Sequence, residues 1–111
     1  MSEWEVVYTE QAARDLRGIH EYIAFSLLEP EIAKNQTRRI LDAAAKLNEM
    51  PLRCPLYEKE PWHSKGLRVL PVDNYLAFYL LVESRKTIAV LRILYGGRNL
   101  EDQLKQTDLN P

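Results

Sequence analysis

Few side chains in this sequence suit holding an anion or moving a proton, and most of them lie in its second half. Arg68 and Arg98 carry planar, permanently charged forks that match phosphate oxygens. Tyr95 can donate or accept a proton, or stack on a base. His63, beside Trp62 and near Lys65, is of the residue type most often used for proton transfer at neutral pH. Lys59 and Lys65 are the cations of the same stretch. Each has a plainer reading. Arg98 would be tied to a carboxylate or a partner, Arg68 would be a solvated strand residue, Tyr95 a core aromatic at a strand end, and His63 an incidental surface histidine. His20 lies beside the apolar face of a helix and reads as structural.

The elements that must position these residues are legible from periodicity. Trp4, Val6 and Tyr8 alternate in a β-rich run, which predicts a strand. Thr9 suits an N-cap, and Glu10 suits the first turn of the helix behind it. Ala12, Leu16, Ile19 and Ile23 then recur at helical spacing, predicting a helix to about Ser26. Arg14, Asp15, Arg17 and Glu21 read as its solvated face. Pro30 is well placed at the first position of a second helix, whose stripe is Ala33, Thr37, Ile40, Ala44 and Leu47 and which Pro51 stops. The short link at Leu27–Glu29 makes the two an antiparallel hairpin.

Three prolines punctuate the loop from Pro51 to Lys65. Three strands follow, Gly66–Val72, Tyr75–Glu83 and Thr87–Tyr95, joined by turns at Asp73-Asn74 and Ser84–Lys86. Pro71 either stops the first of them or places it at an edge. Gly96-Gly97 ends the meander. Asn99 suits an N-cap for a closing helix to about Leu104, with a polar, frayed tail behind it. The reading is one domain over residues 1–105 and a tail at 106–111. Its fold class is α+β, in the order β-α-α-β-β-β-α, a helix hairpin packed on one face of a small, mostly antiparallel sheet.

The two long strands are apolar on both faces. Strict alternation puts Tyr75, Ala77, Tyr79 and Leu81 on one side and Leu76, Phe78, Leu80 and Val82 on the other. It likewise groups Ala89, Leu91, Ile93 and Tyr95 against Ile88, Val90, Arg92 and Leu94. Helices cover one face. The second face is covered either by the loop and closing helix or by a partner. Arg92 interrupts an apolar face, so its stem is expected to pack and its head to reach solvent or an acidic partner.

The whole-chain numbers fit a single soluble domain: 111 residues, 46% hydrophobic, net charge −1. Near-neutrality argues against sequence-independent duplex binding. One cysteine, Cys54, excludes an internal disulfide and a cysteine-based metal site. No apolar run approaches a membrane span, and Met1-Ser-Glu-Trp-Glu lacks a signal-peptide pattern. A cytoplasmic protein without metal or cofactor is expected.

Taken together, Val6–Ala24, Asn74-Tyr-Leu-Ala-Phe-Tyr79 and Val90-Leu-Arg-Ile-Leu-Tyr-Gly-Gly-Arg-Asn99 resemble the RelE/ParE superfamily of bacterial type II toxins, over nearly the whole chain. The resemblance implies a toxin held inactive by a wrapping antitoxin, which Phe78, Leu80 and Arg92 are expected to meet. RelE-like members are implied to be metal-independent, ribosome-dependent endoribonucleases acting on mRNA. ParE-like members are implied to poison DNA gyrase without a nuclease site. An inactive member acting only as a binding module is the third possibility. The expected function is the RelE-like one, with ribosome and mRNA as partners. Cleavage by a 2′-OH needs a base, an acid and cations around the phosphorane. Arg98 falls in the family's Gly-x-Arg-type turn, and Arg98 and Arg68 would hold phosphate. Tyr95 or His63 would move protons, and Lys59 and Lys65 would bind substrate. The sequence also departs from the nuclease pattern. Leu104 falls near a tyrosine of the RelE-type final helix, and Leu76 near an arginine of the aromatic strand.

Overall fold

A computed structural model describes residues 4–97 and 99–110. The chain begins with β1 (Glu5–Tyr8) and α1 (Glu10–Glu21), and α2 (Pro30–Ala45) completes the helix hairpin. The meander is β2 (Arg68–Val72), β3 (Tyr75–Val82) and β4 (Thr87–Tyr95), and α3 (Leu100–Lys105) closes the fold. No helix among the described residues is long and apolar enough to cross a membrane.

The strands form one sheet in the order β1-β4-β3-β2. β2 with β3 and β3 with β4 are antiparallel, while β1 joins β4 in parallel. Pro71 sits on the edge strand, where its missing N–H removes no ladder bond. Thr9 works twice at the β1–α1 junction. Its Oγ1 accepts from the Ala12 N–H at 3.2 Å and donates to the Leu91 carbonyl at 3.0 Å, fixing the helix start to the central strand. Asn99 precedes α3 but its side chain makes no capping bond, contrary to expectation.

The first helix does not run uniformly to Ser26. It widens into a π turn over Tyr22–Ser26, and Leu28 then takes a left-handed backbone, φ 56°, to reverse the chain into α2. Both helices lie on one sheet face. There Ala12, Ile40, Ala44 and Leu47 bury against Leu70, Ala77, Tyr79, Ile88 and Val90. Each large aliphatic side chain so buried contributes roughly 1.5–3 kcal/mol.

The second face is covered by the chain itself. Trp62 and Leu67 from the long loop and Leu104 from α3 close over Phe78, Ala89 and Leu91. Tyr57 meets Trp62 and Phe78 edge-on at 5.9 and 5.5 Å. The loop is pinned to β2 by Tyr57 N–H to the Leu67 carbonyl, 2.7 Å, and Val69 N–H to the Pro55 carbonyl, 3.2 Å. Phe78 therefore has no accessible surface, and its expected place in an antitoxin contact is corrected: it is core. Leu80 stays half-buried at the margin of this layer.

A β-bulge corrects the predicted faces of β4. Tyr79 pairs with Val90 and Phe78 with Arg92, leaving Leu91 as the extra residue. Past the bulge the alternation is inverted. Ile93 joins Ile88 and Val90 on the helix side, while Leu94 joins Leu91 on the other. The described part of the C-terminal segment is tied to α1. The Gln11 amide donates to the Gln106 carbonyl at 3.0 Å and accepts from the Asp108 N–H at 2.9 Å.

Candidate functional site

Arg68 and Tyr95 stand well apart along the sheet. Arg68 pairs with Tyr79, and Tyr95 pairs with Tyr75, four residues away along β3. At about 3.4 Å per residue that is roughly 14 Å along the strand. Arg68 is also occupied. Its Nη1 donates to the Cys54 carbonyl at 2.6 Å, and the neighbouring Tyr79 hydroxyl donates to the Pro51 carbonyl at 3.0 Å. Burial, and then the contact with Cys54, push the Tyr79 phenol far up. These residues fasten the start of the long loop to the sheet.

His63 lies in the loop that covers the second face. Its Nδ1 is 3.0 Å from the Tyr57 carbonyl, which requires the proton on that nitrogen and leaves Nε2 as the basic one. Lys59 pairs with Glu101 of α3 at 2.7 Å, and that carboxylate raises its pKa. Lys65 is exposed. Arg98 lies outside the described residues. The other predicted site residues do not converge: Arg68, Tyr95 and His63 occupy three separate places, and no base, acid and cation among them face one phosphate-sized space.

Arg92 is re-aimed by the bulge. Its Nε and Nη2 donate to the two carboxylate oxygens of Asp15 at 2.6 and 3.0 Å, and its Nη1 reaches the Gln103 carbonyl and the Thr107 hydroxyl at 3.1 and 3.2 Å. Asp15 also accepts from the Ile93 N–H at 3.0 Å. The two side chains are only 12% and 16% exposed, so Asp15 is no part of a solvated face, and the acidic partner expected for Arg92 lies within the chain.

Tyr95 does belong to an open feature. It is 61% exposed and meets Tyr75 edge-on at 5.7 Å. Both line a groove of about 940 Å³ between α1, the π turn, the ends of β3 and β4, and α3. Arg14 and Gly18 form its α1 wall, Tyr22 continues that wall at the π turn, Ile32 and Gln36 extend it on α2, and Gln103 and Gln106 close the far side. Burial, then the nearby Tyr95 and Tyr22 hydroxyls, raise the Tyr75 pKa. Sequence reasoning passed over Arg14, Gly18, Tyr22 and Tyr75. The available signal was the repeat of 14, 18 and 22 on one helix face around a glycine.

This architecture is that of solved toxins. The structure is similar to "Chromosomal ParDE TA system from P. aeruginosa", with TM-score 0.70 and 24% identity, covering 85% of this chain and 97% of that one. It is similar to a chain of the RelBE2 toxin–antitoxin complex from Mycobacterium tuberculosis, with TM-score 0.58, 22% identity and coverage of 83% and 96%. It is also similar to a mutant of E. coli RelE in the free state, with TM-score 0.63, 10% identity and coverage of 96% and 93%. No curated protein matches the chain. The family of the ParE toxin of the type II toxin–antitoxin system parDE matches residues 6–100. The protein belongs to that ParE toxin family.

Proposed function

We propose that the protein is a cytoplasmic toxin that poisons DNA gyrase by binding it, and that a cognate antitoxin neutralises it. One observation carries the choice of target. Arg68, the described arginine of the expected nuclease set, is spent on the Cys54 carbonyl and pairs with Tyr79, four residues along β3 from the partner of Tyr95, while His63 lies in the loop against Tyr57. Cleavage of RNA without a metal needs its base, acid and cations around one phosphate, and the described residues supply no such cluster. A binding toxin needs only a surface. Membership of the ParE family and likeness to a ParDE system support the same reading. The antitoxin comes from likeness to toxin–antitoxin complexes.

Two assays on the purified chain test it side by side: supercoiling by gyrase, and integrity of mRNA on translating ribosomes. Loss of supercoiling with intact mRNA is the expected outcome. Cleaved mRNA with unaffected gyrase returns the function to the RelE-like endoribonuclease.

A further inference from the structure

The tip of the helix hairpin presents apolar side chains where its backbone asks for none. Leu28 takes a left-handed backbone, φ 56°, which glycine or asparagine adopts freely and a bulky residue only with strain. Its side chain is 79% exposed, so packing within the chain does not hold it there. Phe25, 71% exposed, stands in the π turn just before it, a kind of turn frequent at functional sites. Neither residue lines the groove beside Tyr95. Strain kept at a surface points to use rather than to folding.

The backbone beneath these side chains is fixed. The Leu27 N–H donates to the Tyr22 carbonyl at 3.1 Å, the Glu29 N–H to the Ile23 carbonyl at 3.0 Å, and the Ala33 N–H to the Glu29 carbonyl at 3.0 Å. Ile23, Ala24 and Ala33 bury together as a small core under the turn. The tip is thus ordered before any contact is made, which lowers the entropy that a contact costs. The charge around it is one-sided. Glu21, Glu29 and Glu31 are exposed, and none joins an ion pair among the described residues. From Gly18 to Ala33 the sequence holds no lysine or arginine.

We infer that Phe25 and Leu28 are the anchors by which the toxin grips gyrase, entering an apolar pocket of that enzyme rimmed by cations. The inference rests on the reading of the chain as a gyrase-binding toxin. Charge complementarity selects this occupant. An enzyme that handles DNA carries cationic surface for the phosphates, and carboxylates set around two apolar anchors complement such a surface. Apolar anchors at the centre with charge at the rim is also the ordinary anatomy of a protein interface. A membrane surface, with its anionic headgroups, repels the same carboxylates. A second tip would set carboxylates against carboxylates.

Binding of the antitoxin-free full chain to purified gyrase by interferometry, alongside inhibition of supercoiling, tests this, with thermal melts confirming each variant's fold. Leu28→Gly keeps or gains stability, because glycine suits the left-handed backbone. It is nevertheless expected to weaken both binding and inhibition by about tenfold or more, as is Phe25→Ser. Glu29→Gln with Glu31→Gln is expected to weaken binding severalfold and to flatten its decline with salt. Folded tip variants that bind and inhibit like the wild type overturn the inference and leave the gyrase reading standing. A charge variant with the wild-type salt dependence overturns the cationic rim. Variants that keep gyrase but lose the antitoxin give the tip to the antitoxin and overturn the inference equally. A wild type that neither binds gyrase nor inhibits it overturns the gyrase reading, and this inference with it.

Discussion

Arg92 on β4 and Asp15 on α1, 77 residues apart in sequence, meet in a two-pronged ion pair at 2.6 and 3.0 Å. The pair ties three elements at once, because the same guanidinium holds the Gln103 carbonyl of α3 and the Thr107 hydroxyl beyond it. Breaking a mostly buried pair strands the other charge, which is the larger part of the penalty. Arg92→Ala should therefore destabilise the fold by about 3 kcal/mol, read from urea unfolding. Replacing both partners at once, Arg92→Met with Asp15→Leu, should recover most of that loss, since no charge is then left unpaired.

Arg68→Ala separates a structural arginine from a catalytic one. Removing its bond to the Cys54 carbonyl should cost about 2 kcal/mol in unfolding experiments. The proposed inhibition of gyrase, measured per folded molecule, should stay unchanged. A large drop in inhibition with full stability would place Arg68 in the working surface.

Phe78→Ala should cost roughly 4 kcal/mol, the usual range for emptying a fully buried aromatic site. The long loop should loosen with it, because Tyr57 loses the ring it meets edge-on. Hydrogen exchange across residues 55–69 would show this as faster exchange at Tyr57 and Val69, the amides that pin the loop.

High pH should unfold the protein, and Tyr79 sets part of the window. Its phenol is raised above the ordinary tyrosine value of 10.0, so the folded state keeps a proton that the unfolded state releases. That stability is fully present below pH 10.0 and is lost progressively as pH climbs toward the folded value. Tyr8, Tyr57 and Tyr75 are raised in the same direction by burial and add to the loss. Tyr79→Phe should cost about 1 kcal/mol at neutral pH through the bond to the Pro51 carbonyl. It should also move the alkaline midpoint upward, which a pH series of melting curves would detect.

Gly18→Ala should raise the stability of the isolated chain by about 1 kcal/mol, as expected where a helix glycine has open space around it. A thermal melt at low protein concentration is the check. Destabilisation would mean that the glycine serves packing within the chain.

The helices and strands were readable because their apolar spacing is regular: Ala33, Ile40, Ala44 and Leu47 are buried as their period predicts. The faces of β4 were not, because a bulge inverts alternation at Leu91 without any glycine or proline to mark it. Asp15 looked solvated because its partner arrives from far along the chain. The cover over Phe78 was one of two open readings, and it depends on Trp62 and Leu67 folding back from a loop that has no periodicity to read. The dispersal of Arg68, Tyr95 and His63 follows from strand register and loop path, and residue types alone say nothing about either.

β4, the last strand made, lies between β1 and β3, and β1 has no other partner in the sheet. A ribosome translating this message therefore releases the first strand long before its place exists. The helix hairpin and the β2–β3 ribbon emerge without the strand that joins them to β1, and such long-range pairing is slow to form. A chain cut short before Thr87 has no sheet centre, and its β1 is left without a strand to pair with.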